Sequence, residues 1–363
     1  MQKPFNLPML PVTIDYTKLI RGIGAARTAI GELSGLLVNV KNPDLLIAPL
    51  LTNEAVLSSK IEGTIATVED VYIYEAQNIY SEKTEKEKDI QEIINYRKAV
   101  EVAVAELRTK PISENFIKRL HYILMDSVRG ENKQRGEFRK TQVHIGKIGS
   151  PTEEASYIPP IASKIPSLFS NFEKYIHSEE EQDELVQTSI VHYQFEAIHP
   201  FLDGNGRIGR LLIPLILYEK KLLPYPILYI SSFFEKNRAE YYSHLNNVSN
   251  NSDWVGWIKY FLKALESQAI QTKNKVYEMG VLYEKMKIVI NKLSSTFAIE
   301  LLDILQSKPV INYNSVKDLI DASPQTIYNL IEKFCEAGVL SEIPGKKRNK
   351  TYIYSELMRI IQS

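Results

Sequence analysis

Apolar residues recur every third or fourth position along most of this chain, the spacing of one buried helix face. Ile20, Ile23, Ile30, Leu33 and Leu37 form one such stripe, inside a helical pattern that runs from Tyr16 to about Gln77. Asn42-Pro43 predicts a second helix start, with asparagine as cap and proline at the first helical position. A third helix is expected from Thr52 to Ile61, ending where Gly63 can turn left-handed. Ser58 and Glu62 then stand four residues apart on one face. Thr67 with Asp70 three residues on is a further capping signal. The charged run Ser81 to Asp89 reads as a solvated helix start, and helical sequence continues to about Val128.

The period breaks between Arg129 and Ile158. There Thr141 to Gly146 has the β-branched character of a short strand, and Gly149 with Pro151 suggests a hairpin turn. Helices resume near Pro160 and continue to about Ser267; Leu185, Thr188, Val191, Phe195 and Ile198 mark one buried face. Pro214 falls too deep in the next helix for its first turn, so a kink is expected there. From Val276, Met279, Leu282, Met286, Val289 and Leu293 follow a heptad-like spacing that needs a partner. A second subunit is one candidate, which would make a homodimer. Helices near Phe297 to Gln306, Ser315 to Ile320 and Pro324 to Ala337 lead to two short strands around Gly345 to Lys350, and the whole resembles a winged helix-turn-helix. The reading is therefore mainly α with a short β-hairpin: residues 1–89 a helical segment, 90–268 a core, 269–296 a connecting helix, and 297–363 the winged-helix tail.

Composition narrows the function classes. At 363 residues the chain can bury two or three cores. Lys plus Arg equals Asp plus Glu at 44 each, so net charge makes no case for nucleic acid or an anionic membrane. The single cysteine, Cys335, excludes an internal disulfide and reads as a buried structural thiol. The N-terminus lacks the apolar core of a secretory signal, and Leu211 to Tyr218 stops well short of the ~20 residues a membrane span needs. A soluble, cytoplasmic protein is expected.

The chemistry concentrates in His199-Pro-Phe-Leu-Asp203-Gly204-Asn205-Gly206-Arg207-Ile208-Gly209-Arg210, where a base, a carboxylate, three glycines and two arginines share twelve residues. Glycines opening a helix offer free N–H groups and the positive end of the helix dipole to a phosphate. Asp203 suits Mg²⁺, Arg207 and Arg210 suit further phosphate oxygens, and His199 titrates near neutrality as a general base should. No Gly-Lys-Ser/Thr follows, so this is not a Walker A loop; no strand precedes, so it is not a dinucleotide fingerprint. His192, Glu196 and His199 at i, i+4 and i+7 have a zinc-like spacing without the HExxH form. His192 reads as a hydrogen-bonded core residue, and Glu196 as a brace for the loop backbone. His121, His144, His177 and His244 have no partner pattern; His144 alone could reach substrate.

The stretch resembles the signature of the Fic family, HxFx(D/E)GNGRxxR, with every specified position filled. Ser58-Ser-Lys-Ile-Glu62-Gly63 matches that family's inhibitory pattern (S/T)xxxE(G/N), in the N-terminal segment where one group of members carries it. The resemblance implies transfer of AMP from ATP to a Ser, Thr or Tyr hydroxyl of a target protein, the chain itself included. It makes His199 the base and Asp203 the Mg²⁺ ligand, with Gly204, Asn205, Gly206, Arg207, Ile208, Gly209 and Arg210 as the ATP-binding loop. Arg207 would hold the β-phosphate side and Arg210 the γ-phosphate. Gln142, Val143, His144, Ile145 and Gly146 resemble the flap that aligns the target by strand addition. Tyr241 falls about where the family contacts adenine, with Asn237 or Asn250 as alternates. Ser58, Glu62 and Gly63 imply autoinhibition, Glu62 taking Arg210 from the γ-phosphate. Two alternatives stay open: removal of AMP from a modified protein, and a DNA-binding regulator or toxin-antitoxin component that senses nucleotide. Lys346, Lys347, Arg348 and Lys350 favour DNA; a helix whose one basic residue is Lys333 favours protein docking.

Overall fold

The computed structural model describes residues 3–40, 42–77, 84–126, 134–146, 155–344 and 349–363. Helices α1 (Ile20–Val38), α2 (Asp44–Ile61), α3 (Val68–Gln77), α4 (Glu85–Leu107) and α5 (Glu114–Leu124) precede a central pair. That pair is α7 (Glu184–Ile198) and α8 (Asn205–Glu219), with α6 (Ile165–Ile176) packed on α7. Then come α9 (Ser231–Lys236), α10 (Arg238–Asn251) and α11 (Trp254–Ile290). The C-terminal part holds α12 (Ala298–Ser307), β1 (Val310–Ile311), α13 (Tyr313–Val316), α14 (Pro324–Glu336), β2 (Ser341–Ile343), β3 (Thr351–Ile353) and α15 (Ser355–Gln362). Its three strands are antiparallel in the order β1-β3-β2, with Val310 and Ser341 both opposite Ile353.

The central pair is buried almost all round. Asp183 caps α7 by accepting from the N–H groups of Leu185 and Val186, and in α8 Ile208, Leu211, Leu212, Ile213 and Leu215 are all sealed in the core. A helix apolar on every side belongs at the centre of a bundle, so the loop joining the two, residues 199–204, is held from both ends. Phe201 anchors it: the ring is fully buried, stacked on His121 at 3.8 Å between centroids, and tilted against Phe138 and Phe195. Truncating it to alanine should cost about 3–5 kcal/mol of stability, measurable as a lowered midpoint in denaturant unfolding; a shift under about 1 kcal/mol would mean the loop does not depend on it.

Several expectations are corrected. The helix starts at Asn42-Pro43 and at Thr52 merge into one, α2, which runs through Pro49 with Pro43 at its cap position. Thr67 and Asp70 do exchange reciprocal hydrogen bonds, and Thr84 with Glu87 forms a capping box at the start of α4. Among the described residues, Thr141 to Gly146 pairs through the single bridge between Ile145 and Tyr157, and Gly149 and Pro151 lie outside the described residues. Met279 to Val289 of the heptad-like stripe sit on α11, which is continuous for 37 residues and packs along α1, α12 and α15, and Leu293 falls in the 3-10 turn that follows. Met279, Leu282 and Met286 are buried within this chain, so the stripe already has its partner and gives no ground for a dimer. Cys335 is half-buried rather than sealed. Lys346, Lys347 and Arg348 lie outside the described residues, Lys350 pairs with Glu342, and Lys333 donates to the carbonyl of Leu293. No helix among the described residues is long and apolar enough to cross a membrane.

α2 occupies a shared position. It lies against α4, α8 and α9 on the core side and against α12 and α15 of the C-terminal part. Burial on both sides explains why Thr52, Glu54, Ser58 and Ser59, polar residues that ordinarily face water, are nearly inaccessible here. Gly63 ends the helix with φ +100°, the left-handed stop its sequence position implies.

Candidate active site

His199 closes α7 in a left-handed conformation, φ +49°, and lines a cavity of about 770 Å³. A non-glycine residue held there is strained, and strain of this kind gathers at functional sites. Nδ1 faces the carbonyl of Glu196 at 3.3 Å, and since a carbonyl can only accept, Nδ1 carries the hydrogen and Nε2 keeps its lone pair. Burial, reinforced by Arg139, outweighs that contact and pushes the imidazole down to about 4. The near-neutral titration expected from sequence is thus displaced. If the neutral ring serves as a base, a rate that depends on it should persist at acid pH and fall only as pH drops through about 4. A pH–rate profile with its acid limb near the ordinary histidine value of about 6.5 would contradict this assignment.

The loop after His199 is braced by side chains. Asn205 Nδ2 donates to the carbonyl of Phe201 and its Oδ1 accepts from the N–H of the same residue, both at 2.9 Å. The amide thereby ties the two ends of the loop together. His121 Nδ1 accepts from the Gly136 N–H, so Nε2 carries the hydrogen and donates to the carbonyl of Asp203 at 3.0 Å. Far from being an ordinary packing residue, His121 fixes the turn. Gly204 sits at φ +76° with Met125 and His121 against its open side, and Asp203 Oδ1 accepts from its N–H. Ile208 is fully buried in the core.

Arg207 and Arg210, alike in sequence, are used differently. Arg207 pairs with Glu92 at 2.9 Å inside the core, 3.7 Å from Asp203, and is not among the residues that line the cavity. Arg210 lines the cavity. Its Nε donates to Ser58 Oγ at 3.0 Å, and its Nη2 donates to Ser58 O at 2.9 Å and Glu62 Oε1 at 2.6 Å. Burial disfavours the Glu62 carboxylate, but Arg210, with Arg207 and His199 adding, holds it below the usual carboxylate range. Gly206 makes room: a Cβ there would lie 2.3 Å from Glu62 Oε1 and 2.8 Å from Arg210 Nη1.

Aromatic residues line the rest of the cavity. Tyr193, Tyr241 and Tyr242 face it together with Glu196, Arg238 and Asn246. Tyr241 is also tied to His192, whose Nε2 meets the tyrosine hydroxyl at 2.9 Å while Nδ1 meets the carbonyl of Gly209. Both nitrogens of His192 are thus occupied, as a core histidine's should be. Asn246, rather than Asn237 or Asn250, is among the residues that line the cavity, and Asn237 Nδ2 donates to the carbonyl of Phe233. Glu196 does not brace the loop. Among the described residues its Oε1 has no hydrogen-bond partner; it lies 2.2 Å from where a Cβ of Gly209 would be, and burial pushes the carboxyl up to about 7. From the expected flap, Ile145 and Gly146 reach the cavity beside Ser156 and Tyr157. Gln142, Val143 and His144 do not; Gln142 bonds to the carbonyls of Val143 and Pro159.

A profile of the Fic/DOC family N-terminal region matches residues 20–105, and the Fic/DOC family profile matches residues 111–217. The chain carries Fic/DOC family domains. The first spans α1 to α4 with Ser58, Glu62 and Gly63; the second spans α5 to α8 with His199 through Arg210; Tyr241 lies beyond both. Among relatives, the protein adenylyltransferase Fic of Drosophila grimshawi is 27% identical over 176 residues, 46% of this chain and 33% of that one. A probable protein adenylyltransferase of Aquifex aeolicus is 26% identical over 193 residues, 53% of this chain and 55% of that one. The chain spans about a third of the length of the Drosophila relatives it matches. Among solved structures, a Fic family protein from Desulfovibrio desulfuricans aligns over 97% of this chain and 98% of its own, with TM-score 0.57 and 21% identity. Fic-1 from C. elegans (aa134–508) aligns over 72% of each chain, with TM-score 0.53 and 21% identity. These likenesses establish a Fic fold.

Two residues that pack near this site left no trace in the sequence patterns. Glu54, one turn before Ser58 on α2, is sealed between Ser231 and Tyr96, and burial pushes it up to about 7 against the pull of Arg210. Arg139, 60 residues before His199, meets the end of α7 from a non-helical stretch that has no period to read.

Proposed function

We propose that the chain is an autoinhibited protein adenylyltransferase, moving AMP from ATP to a hydroxyl side chain of a target protein. The observation that carries this reading is the ion pair of Arg210 with Glu62, set over Gly206 in the cavity that His199 lines. An arginine fork at a helix N-terminus suits a polyphosphate, and Glu62 stands in the place where phosphate oxygens would compete for it. His199, neutral with Nε2 unprotonated, would take the proton from the incoming hydroxyl as oxygen attacks the α-phosphorus and pyrophosphate leaves. Tyr193, Tyr241, Tyr242 and Asn246 offer aromatic faces and an amide for the base and sugar, and the cavity has the size of a mononucleotide site.

Mg²⁺ fits Asp203, a half-exposed carboxylate at the loop beside the helix N-terminus. A single carboxylate together with substrate phosphates is a usual way to hold this ion. When bound, it would neutralise charge on the phosphates as they separate. Ile145 and Gly146, at the cavity edge, would align the target backbone.

The test is incubation of the full chain with labelled ATP, Mg²⁺ and cell lysate, with and without Glu62→Gly. Labelled protein bands that strengthen in the variant are expected. Label removed from premodified protein instead would favour the reverse reaction, and neither outcome would leave a nucleotide sensor.

A further inference from the structure

The last carbonyls of a helix have no partner within it, and at the end of α7 each of them finds one elsewhere. Glu196 O meets the His199 ring, and Ala197 O accepts from the Tyr157 hydroxyl at 3.0 Å. Ile198 O and His199 O both accept from the Arg139 guanidinium, at 3.4 and 2.8 Å. The same guanidinium donates to Thr141 O at 3.0 Å and Pro160 O at 2.6 Å, and the Arg139 backbone N–H donates to Pro200 O at 2.8 Å. Thr141 and Pro160 bound the stretch that carries Ile145 and Tyr157, the bridged pair at the cavity edge. One side chain therefore holds both the turn that presents His199 and the two roots of the segment that faces it.

Its setting is unusual for a cation. Arg139 is 2% exposed, and all its side-chain partners are carbonyls; among the described residues no carboxylate pairs with it. Burying a charge without a counter-charge is costly, though the negative end of the α7 dipole offsets part of that cost. A lysine would keep the charge, but its single ammonium cannot span four carbonyls on two segments.

We infer that Arg139 is a positioning residue, which sets the His199 base against the acceptor hydroxyl by tying the end of α7 to both roots of the 141–160 segment. It touches neither nucleotide nor acceptor and acts through His199. The inference rests on the transfer reading above.

The test places Arg139→Lys and Arg139→Gln in the Glu62→Gly chain. Labelled AMP incorporation is followed at varied ATP, with ATP affinity measured separately by calorimetry. The expected result is a maximal rate at least tenfold below the Glu62→Gly parent, with ATP affinity within threefold. A rate within threefold of the parent overturns the inference, and so does a loss of ATP affinity in step with rate, which marks a merely structural residue. Hydrogen exchange separates this from failure of the transfer reading. In Arg139→Lys the amides of His199 and Ile145 should lose protection together, at least tenfold, even if the parent transfers no AMP. Loss at only one of them, or at neither, overturns the coupling.

Discussion

Replacing Glu62 by glycine is expected to raise AMP incorporation from labelled ATP by up to about 100-fold, the ceiling if the competent state starts near 1% of molecules. The pair it breaks is Arg210 Nη2 with Glu62 Oε1 at 2.6 Å. Two unit charges about 4 Å apart attract by about 4 kcal/mol at an effective dielectric near 20, before desolvation is subtracted. A 100-fold lock needs only about 2.7 kcal/mol, so the pair is strong enough even though the Glu62 side chain is 38% exposed and partly screened. Arg210 would keep its two bonds to Ser58 in the variant, and so remain placed for phosphate. Glu62→Gln, which keeps the shape and removes the charge, should give a smaller rise. An unchanged rate in both variants, with ATP bound as before, would sink the autoinhibition reading.

The second large effect is expected from His199→Ala, introduced beside Glu62→Gly so that the lock does not mask it. Losing a general base lowers a rate by about 10²–10⁴-fold, and transfer should fall to that extent or to background. ATP affinity should stay within a few-fold, because on the transfer reading the imidazole would meet the acceptor while Arg210 and the α8 N-terminus would meet the phosphates. Calorimetric titration with ATP separates the two quantities. If binding and transfer vanish together, His199 holds the loop rather than moving a proton.

What could be read from the sequence was whatever is local. Ser58, Glu62 and Gly63 lie within two helical turns, and spacing alone put the first two on one face; the structure adds that both meet Arg210. The helix before His199 and the helix after Gly204 were legible from period and from glycine placement. The roles inside the signature were less so, because chemistry alone does not distinguish a side chain that meets a ligand from one that braces the backbone. Asn205 and Arg207 look equally apt for phosphate, and only the structure shows that one bonds to Phe201 and the other pairs with Glu92. His121 and Arg139 act across 82 and 60 residues of chain, through backbone carbonyls, and no periodic pattern encodes such contacts. The α11 stripe shows the converse. Its period was plain, but the surface that covers it comes from α1, α12 and α15, which period does not name.

The double-sided packing of α2 bears on how this chain can be taken apart. Cutting before Ala298 would strip α12 and α15 from the helix that carries Glu62, baring one flank of it to water. A shortened chain prepared to isolate the catalytic region would then keep His199 and Arg210 but hold Glu62 on a loosened support. Its rate would report the release of restraint together with the chemistry, so the two are measured apart only in the intact chain.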